Sequence, residues 1–425
     1  MLTAPQFLVP LMQAPVAVLG GGISGRAAAK LIEKLEASVV IYDQAGGQGV
    51  EEVFQANQHR LLVVSPGFEL DHPWVMEARS AGLVCLAEID FASLFWRGEV
   101  VAVTGTNGKT TLTEFLSFAL NAAGRDACAV GNVGNAFSEV VAKRDGGAPD
   151  SIAICEVSSF QAEALHHFRA DAAIWTNFAE DHLERHQSMT AYFMAKWRVL
   201  ERAIGGQVFA GSSVARVAED YGQSLPESAI IDTEESAGDI LLRGTAFEGQ
   251  PQRENFILAA AWWRAAGLRE PVLYAAAQNF AVGPHRLARV GEYGGAVWWN
   301  DSKATNFHAT EAALSHFGGK VILIAGGKSK GGDVAAFVER IQSRLKHVLL
   351  IGETRNILAT LFGAAGVSHQ SCADLAEAVR RASEIIEQDD EVLLSPGFSS
   401  LDQFSGYAQR GDTFVQVLKS VIFSS

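Results

Sequence analysis

Short apolar segments alternate with helical segments along the chain, and glycine-rich or polar residues follow many of the apolar segments. In residues 100–115, VVAVTGTNGKTTLTEF, a strand, a glycine loop and an amphipathic helix follow one another. Residues 15–43 repeat the pattern and end in a second strand. Such alternation predicts an α/β fold of open parallel sheets covered by helices. In such sheets, ligands bind beyond the carboxyl ends of the strands.

Length and charge limit the classes of function. A chain of 425 residues exceeds one hydrophobic core and indicates two or three domains. Its net charge of −14 argues against a general nucleic-acid or membrane-surface binder. No uninterrupted apolar run is long enough to span a membrane, and the first 25 residues lack the basic region of a signal peptide. Four scattered cysteines without a C-x-x-C pair fit a reducing cytoplasm: Cys85, Cys128, Cys155 and Cys372.

The motifs divide the chain into three predicted domains. We place them at residues 1–93, 94–282 and 283–425. The first and third show strand–helix alternation, and the second begins with the glycine loop after residue 100. Residues 205–250, rich in Gly, Ser, Asp and Glu, are predicted to form loops and short strands.

The glycine loop of the central section is a candidate phosphate site. Gly108, Lys109 and Thr110 supply the end of the pattern G-x-x-x-x-G-K-[ST], but Val103 stands where the first glycine is usual. Backbone N–H groups at a strand-to-helix turn favour an anionic phosphate. Lys109 would neutralise phosphate charge, and the Thr110 hydroxyl would face Mg²⁺. The alternative is a glycine turn with a solvated lysine.

Three further features of the central section each allow two interpretations. Glu156 ends an apolar strand and either reaches a metal at the phosphate loop or caps a helix. His182 and His186 lie four residues apart without a third zinc ligand, and this spacing alone favours exposed histidines over a Mg²⁺ site. Lys196 lies among aromatic residues on a helix, as a surface lysine or as a buried amine with a lowered pKa.

The predicted C-terminal strands end in three polar segments, NDSKATN, AGGKSKGGD and SPGFSSLDQF. Each alone could be an ordinary loop. Together they would line one sheet edge with cationic and hydroxyl groups, which suits an anionic or carboxylate-bearing ligand.

The N-terminal glycine loop indicates a different ligand when considered alone. Gly20, Gly22 and Gly25 follow a strand, and Asp43 ends the next strand. This pattern is close to the dinucleotide-binding fingerprint. An NAD-dependent oxidoreductase is therefore the alternative function, although it leaves the phosphate loop and Glu156 unexplained.

With these motifs identified, the chain resembles the Mur ligase family over nearly its whole length. The segments TGTNGKTT, EVSSFQ, TNFAEDH, GPHR, NDSKATN and SPGFSSLDQF follow that family's order and spacing. The resemblance implies a Rossmann-like N-terminal domain, a central P-loop ATPase-type domain and a Rossmann-like C-terminal domain. The family uses this shortened loop for ATP, and its first domain holds a uridine nucleotide instead of NAD.

The segments SSFQ and NDSKATN resemble the family member that adds D-glutamate. The implied reaction is ATP-dependent ligation of D-glutamate to UDP-N-acetylmuramoyl-L-alanine through an acyl phosphate, in cytoplasmic peptidoglycan precursor synthesis. The implied protein is a monomer that binds small molecules, with no nucleic-acid or membrane partner. A non-catalytic nucleotide-binding relative is the other alternative.

The resemblance also implies roles for individual residues. The catalytic set is Lys109, Glu156, His182 and Lys196. Thr110 and Glu156 would hold one Mg²⁺, and His182 and Lys196 a second, with Lys196 carbamylated to N6-carboxylysine. ATP would be bound by Thr104, Gly105, Thr106, Asn107, Gly108, Lys109, Thr110, Thr111, Asn255, Arg286 and Asp301.

Substrate residues follow from the same resemblance. The UDP substrate would be bound by Ile23, Ser24, Asp43 and Asn132. D-glutamate would be bound by Lys303, Thr305, Lys330, Ser400 and Tyr407. The chain departs from the family pattern where SPGFSS replaces a small-residue run, where Tyr407 replaces Phe, and in the glycine-rich GGGISG segment.

Overall fold

The computed structural model describes residues 2–233 and 239–423. Three sheets are present, and every strand pair in them is parallel except one at an edge. The described chain forms two compact units. The first comprises Met1–Asn177, Thr190–Glu235 and Asn255–Gln278, and the second comprises Phe178–Met189, Ser236–Glu254 and Asn279–Ser425.

The N-terminal sheet contains four parallel strands in the order β2-β1-β3-β4. Its first strand is completely buried, as expected of a strand between two parallel neighbours. The elements are β1 (Val16–Leu19), α1 (Ile23–Lys34), β2 (Val39–Tyr42), β3 (Leu61–Val64), α2 (Pro73–Ser80), β4 (Val84–Ala87) and α3 (Glu88–Ser93).

The central sheet contains six parallel strands in the order β10-β9-β8-β5-β7-β6. The strand that leads into the phosphate loop, β5, lies between β8 and β7, so the carboxyl ends of these three strands adjoin. The elements are β5 (Glu99–Thr104), α4 (Lys109–Ala122), β6 (Ala127–Gly131), α5 (Phe137–Lys143), β7 (Ile152–Glu156), α6 (Ser159–Ala162), β8 (Ala172–Trp175), α7 (Leu183–His186), α8 (Met189–Glu201), β9 (Val208–Gly211), α9 (Ser212–Ala218), β10 (Ile230–Ile231), α10 (Gln252–Ala265) and α11 (Glu270–Asn279).

The C-terminal sheet has the order β11-β12-β16-β13-β14-β15, with β11 antiparallel at one edge. Strands β12, β16 and β13 are adjacent, which brings together the polar segments that follow them. The elements are β11 (Ala288–Tyr293), β12 (Ala296–Asn300), α12 (Phe307–Ser315), β13 (Val321–Ala325), α13 (Val334–Ile341), β14 (Leu345–Leu350), α14 (Arg355–Ala364), β15 (His369–Ser371), α15 (Leu375–Ile385), β16 (Glu391–Leu394) and α16 (Tyr407–Phe423).

Side-chain caps define the start of several C-terminal helices. At the start of α12, the Asn306 side chain accepts a hydrogen bond from the backbone of Ala309 at 2.9 Å. Asp333 and Asp374 cap α13 and α15 in the same way. Each such cap satisfies a backbone donor that the helix leaves free and contributes about 1 kcal/mol.

The structure confirms the predicted α/β class and the parallel sheets. The region 205–250 differs from its prediction, because it contains the helix α9 besides short strands and 3₁₀ turns. Residues 234–238 of that region lie outside the described residues. The boundaries after residues 93 and 282 remain a prediction. No helix in residues 2–233 and 239–423 combines the length and the apolarity needed to cross a bilayer.

Two neighbouring residues of α14 test how the C-terminal core stabilises its sheet. Leu358 is 0% exposed and packs in the cluster with Leu323 and Val348, whereas Ile357 is 50% exposed. We expect Leu358→Ala to cost about 2–5 kcal/mol of unfolding free energy through lost burial and a cavity. Ile357→Ala should cost no more than about 0.5 kcal/mol. Urea denaturation, with hydrogen exchange of β13 and β14, measures both, and equal costs would contradict the packing.

Candidate active site

The phosphate loop connects β5 to α4 and depends on two left-handed glycines. Gly105 has a φ of +146° and Gly108 a φ of +83°. A Cβ atom on Gly108 would lie 2.3 Å from Oδ1 of Asn255. The absence of that atom lets the Asn255 side chain approach the loop backbone. The predicted ATP residues Gly108 and Asn255 are therefore neighbours within the first compact unit.

The segment after β8 fixes the shape of this loop. The carbonyl and side-chain oxygens of Asn177 accept hydrogen bonds from the backbone N–H groups of Thr106 and Asn107, both at 2.9 Å. The Thr176 hydroxyl donates to the Asn107 carbonyl at 2.6 Å. These bonds set the loop geometry before any ligand arrives, which lowers the cost of binding.

Two lysines converge on one backbone oxygen of the loop. The ammonium groups of Lys109 and Lys196 donate to the Gly105 carbonyl at 2.9 and 2.6 Å. Lys196 is only 1% exposed, and its ammonium lies 4.8 Å from the centre of the Tyr192 ring. The surface-lysine interpretation of Lys196 is therefore wrong. The two cationic groups adjoin a loop of a type that binds phosphate.

Glu156 lies at the end of β7 and is 1% exposed. Its Oε1 atom accepts a hydrogen bond from the Asn132 side chain at 2.8 Å. Its Oε2 atom is buried and has no hydrogen-bond partner among residues 2–233 and 239–423. The helix-capping interpretation is wrong, because Ser158 and Gln161 form the capping box of α6.

A buried carboxylate oxygen without a donor suits a cation. The described residues contain no group of three or more His, Cys, Asp or Glu side chains able to hold a metal. Mg²⁺ commonly uses only one or two carboxylates together with phosphate oxygens and water. The single Glu156 carboxylate therefore fits Mg²⁺ held mainly by phosphate oxygens and water.

The predicted uridine residues lie at the glycine loop of the N-terminal sheet. Ile23 begins α1 and is highly exposed, and Ser24 follows it. The Asp43 carboxylate accepts hydrogen bonds from the backbone of Gly21 at 2.7 Å and of Ala45 at 3.0 Å. These two bonds hold the pKa of Asp43 below its usual value. Asp43 therefore fixes the conformation of the loop that would bind the nucleotide.

In the second compact unit, Asp181 connects predicted site residues. Its Oδ1 atom lies 2.7 Å from the Lys330 ammonium, and its Oδ2 atom accepts a hydrogen bond from Asn306 at 2.9 Å. Burial raises the pKa of Asp181, but the Lys330 charge and these two hydrogen bonds outweigh it and leave a lowered pKa. Asp181 is therefore ionised at neutral pH.

His182 lines a small cavity with Thr305 and Lys330. Its Nε2 atom lies 3.5 Å from Asp181. Burial lowers the pKa of His182 more strongly than the neighbouring acids raise it, so the ring is available as a neutral ligand. His186 is buried, so the interpretation that both histidines are solvent-exposed is wrong.

Other predicted D-glutamate residues lie on the neighbouring strand-end loops. The Lys303 ammonium lies 4.0 Å from the centre of the Tyr407 ring, a cation–π distance. The Ser302 hydroxyl donates to the Tyr407 carbonyl at 2.8 Å. Ser400 is buried in the loop after β16. The face of the Tyr407 ring therefore supports the Lys303 ammonium.

Asp301 lies at the end of β12 and is buried. Its carboxylate accepts hydrogen bonds from the Leu287 backbone at 3.0 Å and from the Ser395 hydroxyl at 2.8 Å. Burial raises the pKa of Asp301 to about 7, although these bonds and Arg286 oppose the shift. The predicted nucleotide residues Arg286 and Asp301 are therefore held in one local network.

Arg410 is a buried residue next to the predicted D-glutamate loops, and sequence reasoning did not identify it. Its buried guanidinium donates to the Ser302 hydroxyl and carbonyl and to the Phe398 carbonyl, at 2.9–3.1 Å. Burial lowers the pKa of Arg410 to about 10. The side chain joins the loops after β12 and β16, and no local motif marks it. Asn177 was missed too, although the TNFAEDH segment contains it.

The parallel sheets, the phosphate loop and the buried carboxylate define an α/β nucleotide-binding enzyme, and comparison with known proteins narrows this class. Residues 103–225 match the Mur ligase middle domain, and residues 285–398 match the Mur ligase glutamate ligase domain. The UDP-N-acetylmuramoylalanine--D-glutamate ligase of Myxococcus xanthus is 33% identical, over 96% of this chain and 98% of that protein. The Streptococcus agalactiae ligase of the same name is 30% identical, over 96% and 97%. The chain therefore belongs to the Mur ligase family of ATP-dependent ligases.

Solved structures agree on the fold. The UDP-N-acetylmuramate-alanine ligase MurC of Thermotoga maritima aligns with a TM-score of 0.58 at 15% identity, over 96% of this chain and 99% of that chain. The MurF ligase of Thermotoga maritima in complex with ADP aligns with the same TM-score at 15% identity, over 88% and 97%.

Gly105 provides a test of the loop geometry. A Cβ atom there would lie 1.9 Å from Oγ1 of Thr176, in a backbone region that L side chains rarely adopt. We expect Gly105→Ala to weaken ATP binding at least about tenfold, which is 1.4 kcal/mol. Gly124→Ala is the matched control, because Gly124 also has a positive φ but open space around it. Titration with a fluorescent ATP analogue measures both variants, and wild-type affinity in Gly105→Ala would refute the steric requirement.

Proposed function

We propose that the protein joins the amine of D-glutamate to the carboxyl group of UDP-N-acetylmuramoyl-L-alanine and couples this ligation to the cleavage of ATP to ADP and phosphate. The observation that carries this proposal is the phosphate loop with Lys109 beside it and the buried, partly unsatisfied carboxylate of Glu156 at the neighbouring strand end. The names of the relatives that align over nearly the whole chain supply the substrates. Their ligase activity favours this function over an oxidoreductase.

The reaction proceeds in two steps. A carboxylate oxygen of the first substrate attacks the γ-phosphorus of ATP, and ADP leaves with the electrons of the broken P–O bond. The neutral amine of D-glutamate then attacks the acyl carbon, and the tetrahedral intermediate expels phosphate as the amine loses its proton. Little covalent chemistry falls to the protein, so its contribution is positioning and stabilisation of phosphoryl charge.

The phosphate loop contributes oriented donors. Its backbone is already fixed by Asn177, so N–H groups at the start of α4 meet the triphosphate without reorganisation. Lys109 exchanges its bonds with the Gly105 and Thr106 carbonyls for phosphate oxygens. Thr104, Thr111 and Asn255 complete the proposed nucleotide set on this unit.

Thr110 and Glu156 would hold one Mg²⁺, and the unsatisfied Oε2 atom of Glu156 supports this assignment. Bound Mg²⁺ would withdraw negative charge from the phosphate oxygens. Asn132, which holds Glu156 through Oε1, would also contact the nucleotide-sugar substrate. The asparagine thereby orients the ligating carboxylate.

Lys196 is proposed to be N6-carboxylysine and to hold a second Mg²⁺. A buried amine is readily neutral and can add to CO₂, and the resulting carbamate supplies oxygen ligands. Burial of Lys196 beside the phosphate loop supports this assignment. His182, with its lowered pKa, keeps its predicted magnesium role in the second unit.

The remaining roles are proposed on the second unit and the N-terminal sheet. Lys303, Thr305, Lys330, Ser400 and Tyr407 would bind D-glutamate, which their cationic and hydroxyl groups suit. The exposed Ile23, with Ser24 and Asp43, would bind the uridine part. Arg286 and Asp301 would bind the nucleotide. We further propose a monomer in the cytoplasm, in keeping with the four free cysteines.

Acceptor selectivity tests the proposed reaction. Phosphate release should require Mg-ATP, UDP-N-acetylmuramoyl-L-alanine and D-glutamate together. L-glutamate, L-lysine and meso-diaminopimelate should give no release above background, because each presents its amine and carboxyl groups to Thr305 and Lys330 in a different arrangement from D-glutamate. Release with another acceptor, or with none of these four, would refute the proposed substrate.

Lys109→Ala gives the matching test of the loop. Turnover should fall by about 10²–10³-fold, because one preorganised charge contact to the transition state is lost. Lys143→Ala is the control, since Lys143 is 68% exposed on α5 and pairs with Glu139 on the same helix. Comparable losses in the two variants would show that the effect is not specific to the loop.

Lys196 can be examined without an activity assay. Protein equilibrated with ¹³C-bicarbonate should show a carbamate carbon signal in NMR spectra, and Lys196→Ala should lack it. Lys143→Ala should retain the signal. A wild-type spectrum without it, under conditions in which the enzyme turns over, would contradict the modification.

A further inference from the structure

The turn between α11 and β11 contains two residues in an unusual backbone conformation. His285 has a φ of +64° and Leu287 a φ of +51°, and neither is glycine. Left-handed backbone costs free energy for residues with a Cβ atom, so such a turn persists only where its surroundings hold it. Arg286 lies between the two, so the direction of its side chain depends on both.

The side-chain amide of Asn300 holds the ring of His285, and the other hydrogen bonds of this amide define its orientation. Asn300 accepts a hydrogen bond from the Ser302 backbone through Oδ1 at 3.1 Å, and its Nδ2 atom donates to the Gly411 carbonyl at 2.9 Å. These bonds fix which end of the amide is the donor. The same Nδ2 atom lies 3.1 Å from Nδ1 of His285, which therefore accepts a hydrogen bond.

The ring also packs directly against the backbone of α16. A Cβ atom on Gly411 would lie 2.2 Å from Nδ1 of His285, so only glycine permits this approach. The other ring nitrogen, Nε2, lies 3.4 Å from Asp412, whose side chain is 66% exposed. The contact with Gly411 is buried, and the contact with Asp412 is on the surface.

Backbone bonds close the turn on both sides of Arg286. The His285 carbonyl accepts a hydrogen bond from Lys303 N at 2.9 Å, and Leu287 N donates to the Asp301 carboxylate at 3.0 Å. The turn is thus attached to the end of β12 at two points, and the His285 ring supplies a third. From α16, the Tyr407 ring also lies edge-on to the His285 ring, with 6.4 Å between ring centres.

We propose that His285 is a positioning residue for nucleotide binding. Its ring, held by Asn300 and by the space at Gly411, maintains the left-handed turn that presents Arg286 to the nucleotide. The inference rests on the proposed function only in assigning Arg286 to ATP. His285 itself does not contact the ligand.

This role predicts a selective kinetic effect. Loss of the ring lets the turn relax and displaces Arg286, so the KM for ATP rises by about tenfold in His285→Ala. The kcat at saturating ATP and the KM for UDP-N-acetylmuramoyl-L-alanine should change less than about twofold. A merely structural role would instead lower the melting temperature and reduce activity with every substrate.

Two variants separate the contribution of the left-handed backbone at His285 from that of the hydrogen bond its ring accepts from Asn300. Asparagine adopts left-handed backbone readily and its side-chain carbonyl can accept from Asn300. His285→Asn should therefore retain a KM for ATP within about twofold of wild type. His285→Gly permits the left-handed backbone but lacks the hydrogen-bond acceptor. Its KM for ATP should lie between those of the Asn and Ala variants. An Asn variant as impaired as the Ala variant would overturn the proposal.

Gly411→Ala disrupts the contact between His285 and Gly411 by changing the α16 side of it. Its added methyl group should displace the ring and raise the KM for ATP about as much as His285→Ala does, because the same turn relaxes. In the double variant the second substitution should add less than about twofold, since the two changes act on one contact. Additive effects would overturn the proposed coupling. Asp412→Asn, which changes only the exposed contact, is the control and should match wild type.

Arg286→Ala distinguishes failure of the inference from failure of the proposed function. An increased KM for ATP in Arg286→Ala, with wild-type values in His285→Ala and Gly411→Ala, would overturn the positioning role alone. An unchanged KM for ATP in Arg286→Ala would refute the nucleotide role of Arg286 and with it the inference. An increased KM for ATP in all three variants would support both the nucleotide role of Arg286 and the positioning role of His285.

Discussion

The Gly105 carbonyl oxygen accepts hydrogen bonds from two ammonium groups and so joins the phosphate loop to α8. Lys109 comes from the start of α4 and Lys196 from the middle of α8, so one oxygen connects the phosphate loop to a helix 91 residues further on. Two like charges at one carbonyl repel each other, and the carbonyl dipole offsets this only in part. A polyanion at the loop, or conversion of one amine to a carbamate, removes the repulsion.

The general organisation was predictable because it rests on local patterns. The predicted C-terminal strands that lead into NDSKATN, AGGKSKGGD and SPGFSSLDQF are present as β12, β13 and β16. The helix α9 was not predicted, since its Ser- and Gly-rich neighbourhood resembles a loop. The phosphate loop was identifiable despite Val103, because its function depends on backbone donors and on Lys109.

The rest of the site depends on contacts between residues far apart in sequence. Sequence reasoning left open whether Lys196 lies on the surface, because only the packing of α8 against the sheet decides its burial. Arg410 was invisible for the same reason: its partners at Ser302 and Phe398 lie on two other loops. His285 lay within a noted motif, yet its left-handed backbone and its contact with Gly411 exist only in three dimensions.

The ion pair between Asp181 and Lys330 has a consequence for the selection of ligands. With 2.7 Å between the charged atoms, the Lys330 ammonium already has a carboxylate partner. Any ligand carboxylate that binds Lys330 must displace or share that partner, so its binding is an exchange and gains little net Coulomb energy. A zwitterion can compensate, because its own ammonium can take up the released Asp181 carboxylate. Molecules that carry both charges at a matching separation should therefore bind at Lys330 more tightly than simple dicarboxylates.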